Sequence, residues 1–365
     1  MSFNTKKNGF IKKQSRTFRA KIVRRTQRFV CKECGKSFTA RFNNKWRRYN
    51  LSFREEVVKR NIEENASFRA IARRLGIAAS TALNWVNEFG HICKDIQDVH
   101  KELKPSWSGI LGIDGKPIKV FGSEKMVLLA SDKLSHDLVH LDLVEAENED
   151  DCKSFLLAIR DDICYPVAGI VSDFGKGRVW LELIDTLFPD IPHQTCVVHF
   201  QRYVNQRIPK SKKSRYYAQN KFLRELIAEI LFTDNFNDSE ELFLRLKRIK
   251  TLFKVKYQRM IIASLERHYH TLTTHFHNPD LPRDNNFVEN IVKQLNRKLK
   301  QIDGFKNKDN AKSFLKLWSL YYRFKPFTDS NYEYKNGKSP LELAGVNVTN
   351  IDWLKYSQKP KHRHS

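Results

Sequence analysis

Residues 109–146, GILGIDGKPIKVFGSEKMVLLASDKLSHDLVHLDLVEA, decide the fold class of this chain. Short apolar runs separated by glycine and charged residues are typical of β-strands. Further along, the sequence predicts a helix over 148–162, a strand over 166–174, a helix over 178–188 and a strand over 193–200. Several strands followed by alternating helix and strand predict an α/β sheet with at least one crossover.

The segments on either side of this sheet differ from it in pattern and charge. Composition and periodicity divide the chain into a basic arm (1–49), a helical domain (50–104), the first part of the α/β core (105–200), a helical basic insertion (201–280), the last part of the core (281–354) and a basic tail (355–365).

The charge balance indicates a polyanionic partner. The 365 residues hold 66 Lys and Arg against 41 Asp and Glu, for a net charge of +25. Residues 1–50 carry 16 basic side chains and one acid, Glu33, with aromatic residues between them, which favours a module that lies on phosphates. No apolar run reaches the length of a membrane span, and six scattered cysteines predict reduced thiols, so we expect a soluble intracellular protein.

Residues 51–89 predict a helix-turn-helix. Ser67 is a credible N-cap for the helix FRAIARRLG, and Gly76 ends it before STALNWVNEF begins. The second helix of such a motif lies in the major groove of DNA, so its early polar residues Ser80, Thr81 and Asn84 are expected to face bases. A three-helix bundle that contacts nothing is the alternative.

Cys31 and Cys34 have the C-x2-C spacing of a zinc knuckle. Tetrahedral Zn2+ needs four ligands, and no other Cys or His precedes His91. The cysteines are therefore either half of a zinc site or free thiols on a turn. Cys196 and His199 form a second short pair, for which a packing or substrate-contact role is favoured over metal binding.

Three acids could hold two metal ions. Asp114 in LGIDG and Asp173 in IVSDFG each follow an apolar run, so both are expected at strand ends, where α/β sheets place their chemistry. Glu289 lies on a helix after the basic insertion. Mg2+ (or Mn2+) prefers such carboxylates, and two ions would activate a nucleophile and stabilise a leaving oxygen in phosphodiester chemistry.

Four segments together resemble the DDE transposases of prokaryotic insertion sequences, close to the Mutator-like group: GIDGKPIKV (112–120), GIVSDFGKGRVWLELIDTLFPDIPHQTCVVHF (169–200), RDNNFVENIVKQLNRKLKQIDGF (283–305) and FLKLWSLYYRFKPF (314–327). The resemblance covers most of the chain. It implies a ribonuclease-H-like mixed sheet with a helical insertion, and catalytic roles for Asp114, Asp173 and Glu289. The arm resembles a zinc ribbon that normally carries two C-x-x-C knuckles, of which one is present.

The resemblance implies a transposase that binds the ends of its own element and performs metal-dependent cleavage and strand transfer on double-stranded DNA, as a homodimer in the nucleoid of a prokaryotic cell. Basic residues of the insertion and of the Glu289 helix are expected to contact phosphates: Lys210, Lys212, Lys213, Arg215, Arg297 and Lys298. The alternatives are a DNA-binding regulator with an inactive catalytic domain and a structure-selective nuclease of the same fold.

Overall fold

A computed structural model describes residues 5–16, 21–39, 49–174, 179–302 and 304–359. The chain forms two compact units, an N-terminal unit (Met1–Ile92) and a C-terminal unit (Cys93–Ser365). Parts of the predicted arm (1–4, 17–20 and 40–48) and of the predicted tail (360–365) lie outside the described residues.

The N-terminal unit begins with an antiparallel sheet of β1 (Thr5–Arg16), β2 (Lys21–Cys31) and β3 (Ser37–Thr39). The β1–β2 ribbon spans most of the first 31 residues of the predicted basic arm. Lys12 lies directly opposite Arg25 in the register, and both side chains are exposed. Like charges in opposite positions destabilise a ribbon unless an anion lies between or beside them.

Three helices follow in the described part of the N-terminal unit: α1 (Leu51–Ile62), α2 (Phe68–Leu75) and α3 (Ala79–His91). The Ser67 side chain accepts a hydrogen bond from the Ala70 N–H, so it caps α2 as predicted. Gly76 ends α2 in the left-handed conformation, with φ of 60°. Buried apolar residues between the helices form one small core: Phe53, Val57, Ile71, Leu75 and Ala82.

The C-terminal unit is built on a mixed sheet of β4 (Ile110–Val120), β5 (Ser123–Asp132), β6 (Leu138–Val144), β7 (Gly169–Ser172) and β8 (His193–Thr195). Within the described residues its strand order is β6-β5-β4-β7-β8. β5 pairs antiparallel with both β4 and β6. β7 pairs parallel with β4, and β8 pairs parallel with β7. The prediction of a mixed α/β fold behind an N-terminal helix-turn-helix is confirmed.

Among the described residues, helices pack around this sheet and make up most of the segment 197–277. They are α4 (Ile96–Leu103), α5 (Glu149–Leu157), α6 (Val179–Leu187), α7 (Val197–Arg207), α8 (Tyr217–Phe232), α9 (Phe236–Ile249), α10 (Lys256–Leu272), α11 (Thr274–His277), α12 (Asn286–Leu299), α13 (Lys308–Phe324), α14 (Pro340–Leu343) and α15 (Trp353–Tyr356). One apolar core lies between the sheet, α5 and α6, and a second lies among α7, α8, α9 and α10.

Gly112 on β4 allows the helix that carries Glu289 to approach the sheet. A Cβ atom at this position would lie 2.3 Å from the Phe287 ring and 2.4 Å from the Val288 side chain. Both of these residues are buried on α12. A side chain at residue 112 would therefore push α12 away from the sheet.

Two predictions about the sheet are wrong in detail. The runs around Asp114 and Ile118 form one strand, because β5 pairs with β4 all the way from Leu111 to Val120. Asp114 consequently lies within β4 and not at its end. The predicted strand over 193–200 stops at Thr195, and α7 begins at Val197.

Helix α4 and residues 355–359 pack within the C-terminal unit. Helix α4 belongs to the C-terminal unit, where it contacts β6 and α13 and buries Val99 and His100. Residues 355–359 are held in place, since Gln358 pairs with Cys93 and the Lys359 Nζ lies 2.8 Å from Asp95 Oδ2. Among the described residues, no helix is both long and apolar enough to cross a membrane.

Candidate active site

Strand pairing brings Asp114 and Asp173 to the same level of the sheet. β7 ends at Ser172, which pairs with Ile113, so Asp173 follows directly after the last parallel pair and Asp114 lies one residue further along β4. The Asp173 N–H donates to the Ile113 carbonyl at 3.4 Å. Although Asp114 is inside a strand, it therefore lies where the parallel strands β7 and β8 end, as the sequence argument required of a site residue.

Buried hydrogen bonds tie α7 and α12 to this edge of the sheet. The Asn285 side-chain amide, which is fully buried, donates to the Ile113 carbonyl at 2.7 Å. The Asn285 N–H donates to the Cys196 thiol at 3.4 Å, and the Cys196 N–H donates to the Ser172 carbonyl at 2.9 Å. These bonds place the start of α7 and the start of α12 beside Asp114 and Asp173.

Asp114 is buried among other acids. Its side chain is 6% exposed, and burial raises the pKa of Asp114 to about 8. The negative charges of Asp173, Glu289 and Glu147 contribute to this rise, while the Gly115 N–H, which donates to Asp114 Oδ1 at 2.8 Å, opposes it. An acid in this setting holds a proton unless a cation takes the proton's place.

Glu289 is held by cationic groups of α7 and α12. Both of its carboxylate oxygens accept hydrogen bonds from the Arg202 guanidinium, at 2.8 and 3.3 Å. His199 Nε2 lies 3.5 Å from Glu289 Oε1, and Lys293 Nζ lies 3.8 Å from Oε2. The Glu289 side chain is largely buried, whereas that of Arg202 is 51% exposed, so the Arg202 guanidinium is accessible from solvent.

The carboxylate oxygens of Asp114, Asp173 and Glu289 are suitable ligands for divalent cations, although the three carboxylates do not converge on one position. Carboxylate oxygens are the donors that Mg2+ prefers, and a cation would remove the repulsion that raises the pKa of Asp114. Within the described ranges, no three Asp, Glu, His or Cys side chains converge closely enough to hold a metal. In this conformation both Glu289 oxygens are occupied by Arg202.

The two predicted cysteine pairs lie in different surroundings. Cys31 and Cys34 are on a tight turn in which the Gly35 N–H donates to the Cys31 carbonyl, and backbone N–H groups of Cys34 and Glu33 lower the pKa of Cys31. Cys196 is fully buried, and burial raises the pKa of its thiol to about 11.

The residues predicted to contact DNA are mostly exposed. On α3, Ser80 and Asn84 are exposed and Thr81 is half-buried. The cluster that precedes α8 is exposed throughout: Lys210, Lys212, Lys213 and Arg215.

Lys298 is an exception to the predicted cationic surface. It is 2% exposed, and burial lowers the pKa of its amine to about 7, whereas its neighbour Arg297 is exposed. Lys298 lies on the inner face of α12, so the expectation that it contacts a phosphate is wrong for this conformation.

Sequence reasoning missed Arg202 and Glu147. Arg202 lies three residues after His199, and this spacing puts both side chains on the same face of α7, toward Glu289. Glu147 lies in the loop after β6 and accepts a hydrogen bond from the Trp180 indole N–H. Nothing local in the sequence around Glu147 points to Asp114, since their proximity depends on the folded sheet.

Comparison with known proteins gives two family matches. The family described as "Transposase, Mutator family" matches residues 130–320, and a helix-turn-helix family described as "Transposase" matches residues 43–105. The search of curated proteins gives no match. One chain of the cryo-EM structure of the simian T-cell lymphotropic virus intasome in complex with PP2A regulatory subunit B56 gamma is 14% identical, with 80% of this chain and 76% of that chain covered. Its TM-score of 0.27 is too low to support a structural argument.

Proposed function

The chain belongs to the Mutator family of transposases, and we propose that it cuts and joins DNA at a DDE site formed by Asp114, Asp173 and Glu289. The observation that carries this proposal is the buried Asp114, whose pKa is raised by burial and by the charges of the other two acids. Proteins bury mutually repelling acids where a cation or a proton is part of the function.

The proposed fold of the catalytic unit is ribonuclease-H-like. Three antiparallel strands followed by two parallel strands, in the order β6-β5-β4-β7-β8, support it. The helices α8, α9 and α10 lie between Asp173 and Glu289 in the chain and are the proposed insertion. The finer division of the chain into six segments stays a prediction.

Asp114 and Asp173 would hold the first of two Mg2+ or Mn2+ ions, and Glu289 would complete the site. The ions supply Lewis acidity that activates the attacking oxygen and stabilises the leaving one. In the cleavage step a water oxygen bonds to phosphorus, the bond from phosphorus to the 3′-oxygen breaks, and that oxygen takes up a proton. In strand transfer the resulting 3′-hydroxyl attacks a target phosphate and a second 3′-oxygen leaves.

Arg202 would change partners during this reaction. For Glu289 to bind a cation, its two hydrogen bonds to Arg202 must open. The guanidinium of Arg202, already half exposed, would then be available to a DNA phosphate beside the acids. Lys293, 3.8 Å from Glu289, would hold a neighbouring phosphate.

DNA binding is proposed for three surfaces. The start of α3 would read bases in the major groove, and the β1–β2 ribbon and the 210–215 cluster would contact phosphates. The like-charge pair Lys12 and Arg25 on the ribbon supports this, because a polyanion would relieve its repulsion. The homodimer, the zinc site at Cys31 and Cys34, and the location in the nucleoid stay predictions from sequence.

The test is metal-dependent cleavage and strand transfer on a duplex that carries the ends of the element encoding this chain. Asp114→Asn keeps the shape of the side chain and removes its charge, so we expect a loss of cleavage of about 10³-fold with DNA affinity unchanged. Asp173→Asn and Glu289→Gln should lose cleavage to the same extent.

The matched control is Asp142→Asn. Asp142 is a half-buried aspartate on β6, and this variant should cleave normally. If Asp114→Asn cleaves as well as the wild type does, the DDE assignment is refuted. If the wild type binds the ends but does not cleave them, a DNA-binding regulator with an inactive catalytic domain is favoured.

Base recognition has a separate test in Asn84, which is exposed on α3. Asn can form two hydrogen bonds to adenine, worth about 1–3 kcal/mol of discrimination. Asn84→Ala should therefore lower the preference for element ends over a scrambled duplex by about one to two orders of magnitude, with little change in affinity for the scrambled duplex. Equal loss on both duplexes would show that Asn84 contacts a phosphate or stabilises the fold.

A further inference from the structure

A pocket of about 420 Å³ opens beside the helix that carries Glu289. One wall is the face of α12 that presents Asn290, Lys293 and Arg297, and the opposite wall is the loop 325–335. Because Lys293 Nζ also lies 3.8 Å from Glu289 Oε2, the pocket and the acids share a side chain. The DDE site does not use this pocket, and no role for it follows from the four segments that resemble transposases.

The inner part of the pocket is aromatic. The His136 ring meets the Phe287 ring edge-on at 6.3 Å and the Phe327 ring at 5.8 Å. Burial lowers the pKa of His136 to about 4, so its ring is neutral at physiological pH. At the rim, Tyr332 is 60% exposed, and the Lys335 ammonium lies 4.5 Å from the centroid of its ring.

The charge of the lining is strongly positive. Lys293, Arg297, Lys325 and Lys335 line the pocket against a single acid, Asp329. Three of these cations have exposed side chains at the opening, and Lys335 is buried against His136, whose Nε2 it contacts. Cations around an aromatic interior suit a ligand that has both a flat ring and a phosphate.

The loop that forms the outer wall is preformed. The Ser330 N–H donates to the Asn336 side-chain oxygen at 2.8 Å, and the Asn336 amide donates back to the Ser330 carbonyl at 3.2 Å. The Phe327 N–H donates to the Lys338 carbonyl, and the Gly337 N–H donates to the Phe327 carbonyl, both at 2.9 Å. A ligand therefore meets walls that are already in place, which lowers the cost of binding.

We propose that this pocket binds one unstacked nucleotide of a DNA strand, next to the reacting phosphate. The base would lie against Tyr332 and the aromatic interior, and the phosphate of this nucleotide would contact Arg297 and Lys325. The volume suits one base and its sugar, and it is too small for a duplex. Bases removed from a stack are held in proteins by such aromatic contacts. The inference rests on the proposed function, since it needs DNA at Glu289.

The experiment compares single-stranded and duplex DNA. The full chain, without divalent metal, is titrated at one fixed salt into a fluorescein-labelled 20-nucleotide oligo(dT) and into a duplex of equal length, and binding is followed by fluorescence anisotropy. Tyr332→Ala should weaken binding to the single strand by about fivefold or more, because stacking on an aromatic side chain is lost, and should leave the duplex affinity unchanged. Tyr332→Phe, which keeps the ring, should bind as the wild type does.

Tyr334→Ala is the matched control. Tyr334 is 57% exposed on the same turn but is not among the residues that line the pocket, so its removal should have little effect. In the wild type, ultraviolet cross-linking of an oligonucleotide with 5-iodouracil should map to residues 325–335.

Equal effects of Tyr332→Ala and Tyr334→Ala, or cross-links that map elsewhere, would overturn the proposal and leave the transposase function standing. A matching loss of duplex affinity in Tyr332→Ala would also overturn it, since the tyrosine would then contact duplex DNA. Failure of the wild type to bind either DNA would refute the proposed function together with the pocket.

Discussion

The N-terminal and C-terminal units handle charge in opposite ways. In the N-terminal unit, cations such as Lys12 and Arg25 are exposed on the β1–β2 ribbon. In the C-terminal unit, charged groups are drawn into the interior: Arg323 and Asp137 form an ion pair in which both side chains are 0% exposed. Exposed cations stay hydrated and attract a polyanion, whereas buried charges must be paired or neutralised. Changes to the exposed cations of the ribbon are therefore expected to act mainly on binding, and changes to the buried pair mainly on stability.

The two units also differ in what determines them. The helix-turn-helix depends on signals a few residues apart, such as the Ser67 cap and the turn at Gly76. The sheet of the C-terminal unit depends on residues far apart in the chain, as in the bond from Asn285 to the Ile113 carbonyl. Three predictions test these contrasts, from the largest expected effect to the smallest.

Breaking the buried ion pair should have the largest effect on stability. Arg323 donates two hydrogen bonds of 2.7 Å to Asp137, so Arg323→Met leaves a buried carboxylate with too few partners. We expect a loss of about 3–5 kcal/mol in the free energy of unfolding of the C-terminal unit, measured by urea titration with hydrogen exchange resolved along the sequence.

The matched change in the N-terminal unit is Glu88→Gln. Glu88 pairs with the buried Arg54 but is itself 44% exposed. Because Gln keeps an acceptor oxygen for Arg54 and water reaches this position, the change should cost about 1 kcal/mol or less. Replacing both partners of the buried pair, in Asp137→Leu with Arg323→Met, should recover most of the loss. Equal costs for Arg323→Met and Glu88→Gln would contradict the contrast between the units.

Acid should destabilise the C-terminal unit through His140. Burial lowers the pKa of His140 to about 4, below the ordinary value of 6.5. Below pH 6.5 the unfolded chain binds a proton that the folded unit does not, so stability present at neutral pH is lost as the pH falls toward 4. Between pH 7 and pH 5.5, the free energy of unfolding of the wild type should fall by about 1 kcal/mol more than that of His140→Gln.

Asp114 makes the opposite contribution, because its raised pKa favours the folded state as acid is added. Both proteins contain Asp114, so its contribution cancels when the wild type and His140→Gln are compared. His91 is the first histidine of the chain and is exposed, so His91→Gln is the control. Should His140→Gln leave the pH dependence unchanged, His140 would have to be protonated in the folded unit.

The cap of α2 should have an effect as small as that of Glu88→Gln. Ser67→Ala removes the acceptor of the Ala70 N–H, and we expect a loss of about 1 kcal/mol confined to the N-terminal unit. Ser67→Asp, which restores an acceptor, should recover it. Hydrogen exchange of 51–91 against that of the C-terminal unit is the measurement, and a loss that spreads to the second unit would show that the two unfold together.

Local signals predicted the helices well and the strand ends less well. The cap at Ser67, the turn at Gly76 and the helix that carries Glu289 follow from residues close in sequence. The placement of Asp114 at a strand end was wrong, because pairing with β5 extends β4 past Gly115 and Pro117. Pairing between strands is decided by the neighbour, and a single strand does not contain that information.

The sequence alone determined most of the order of elements and the basic character, and it singled out Asp114, Asp173 and Glu289 as candidates, since periodicity, composition and motif spacing are properties of the chain itself. The tertiary structure decided which groups meet these acids. Arg202 on Glu289, Glu147 near Asp114 and the burial of Lys298 all depend on how α7, α12 and the sheet pack together. The physical reason is that solvent exposure and electrostatic interaction depend on distance in space, which residue spacing along the chain does not specify.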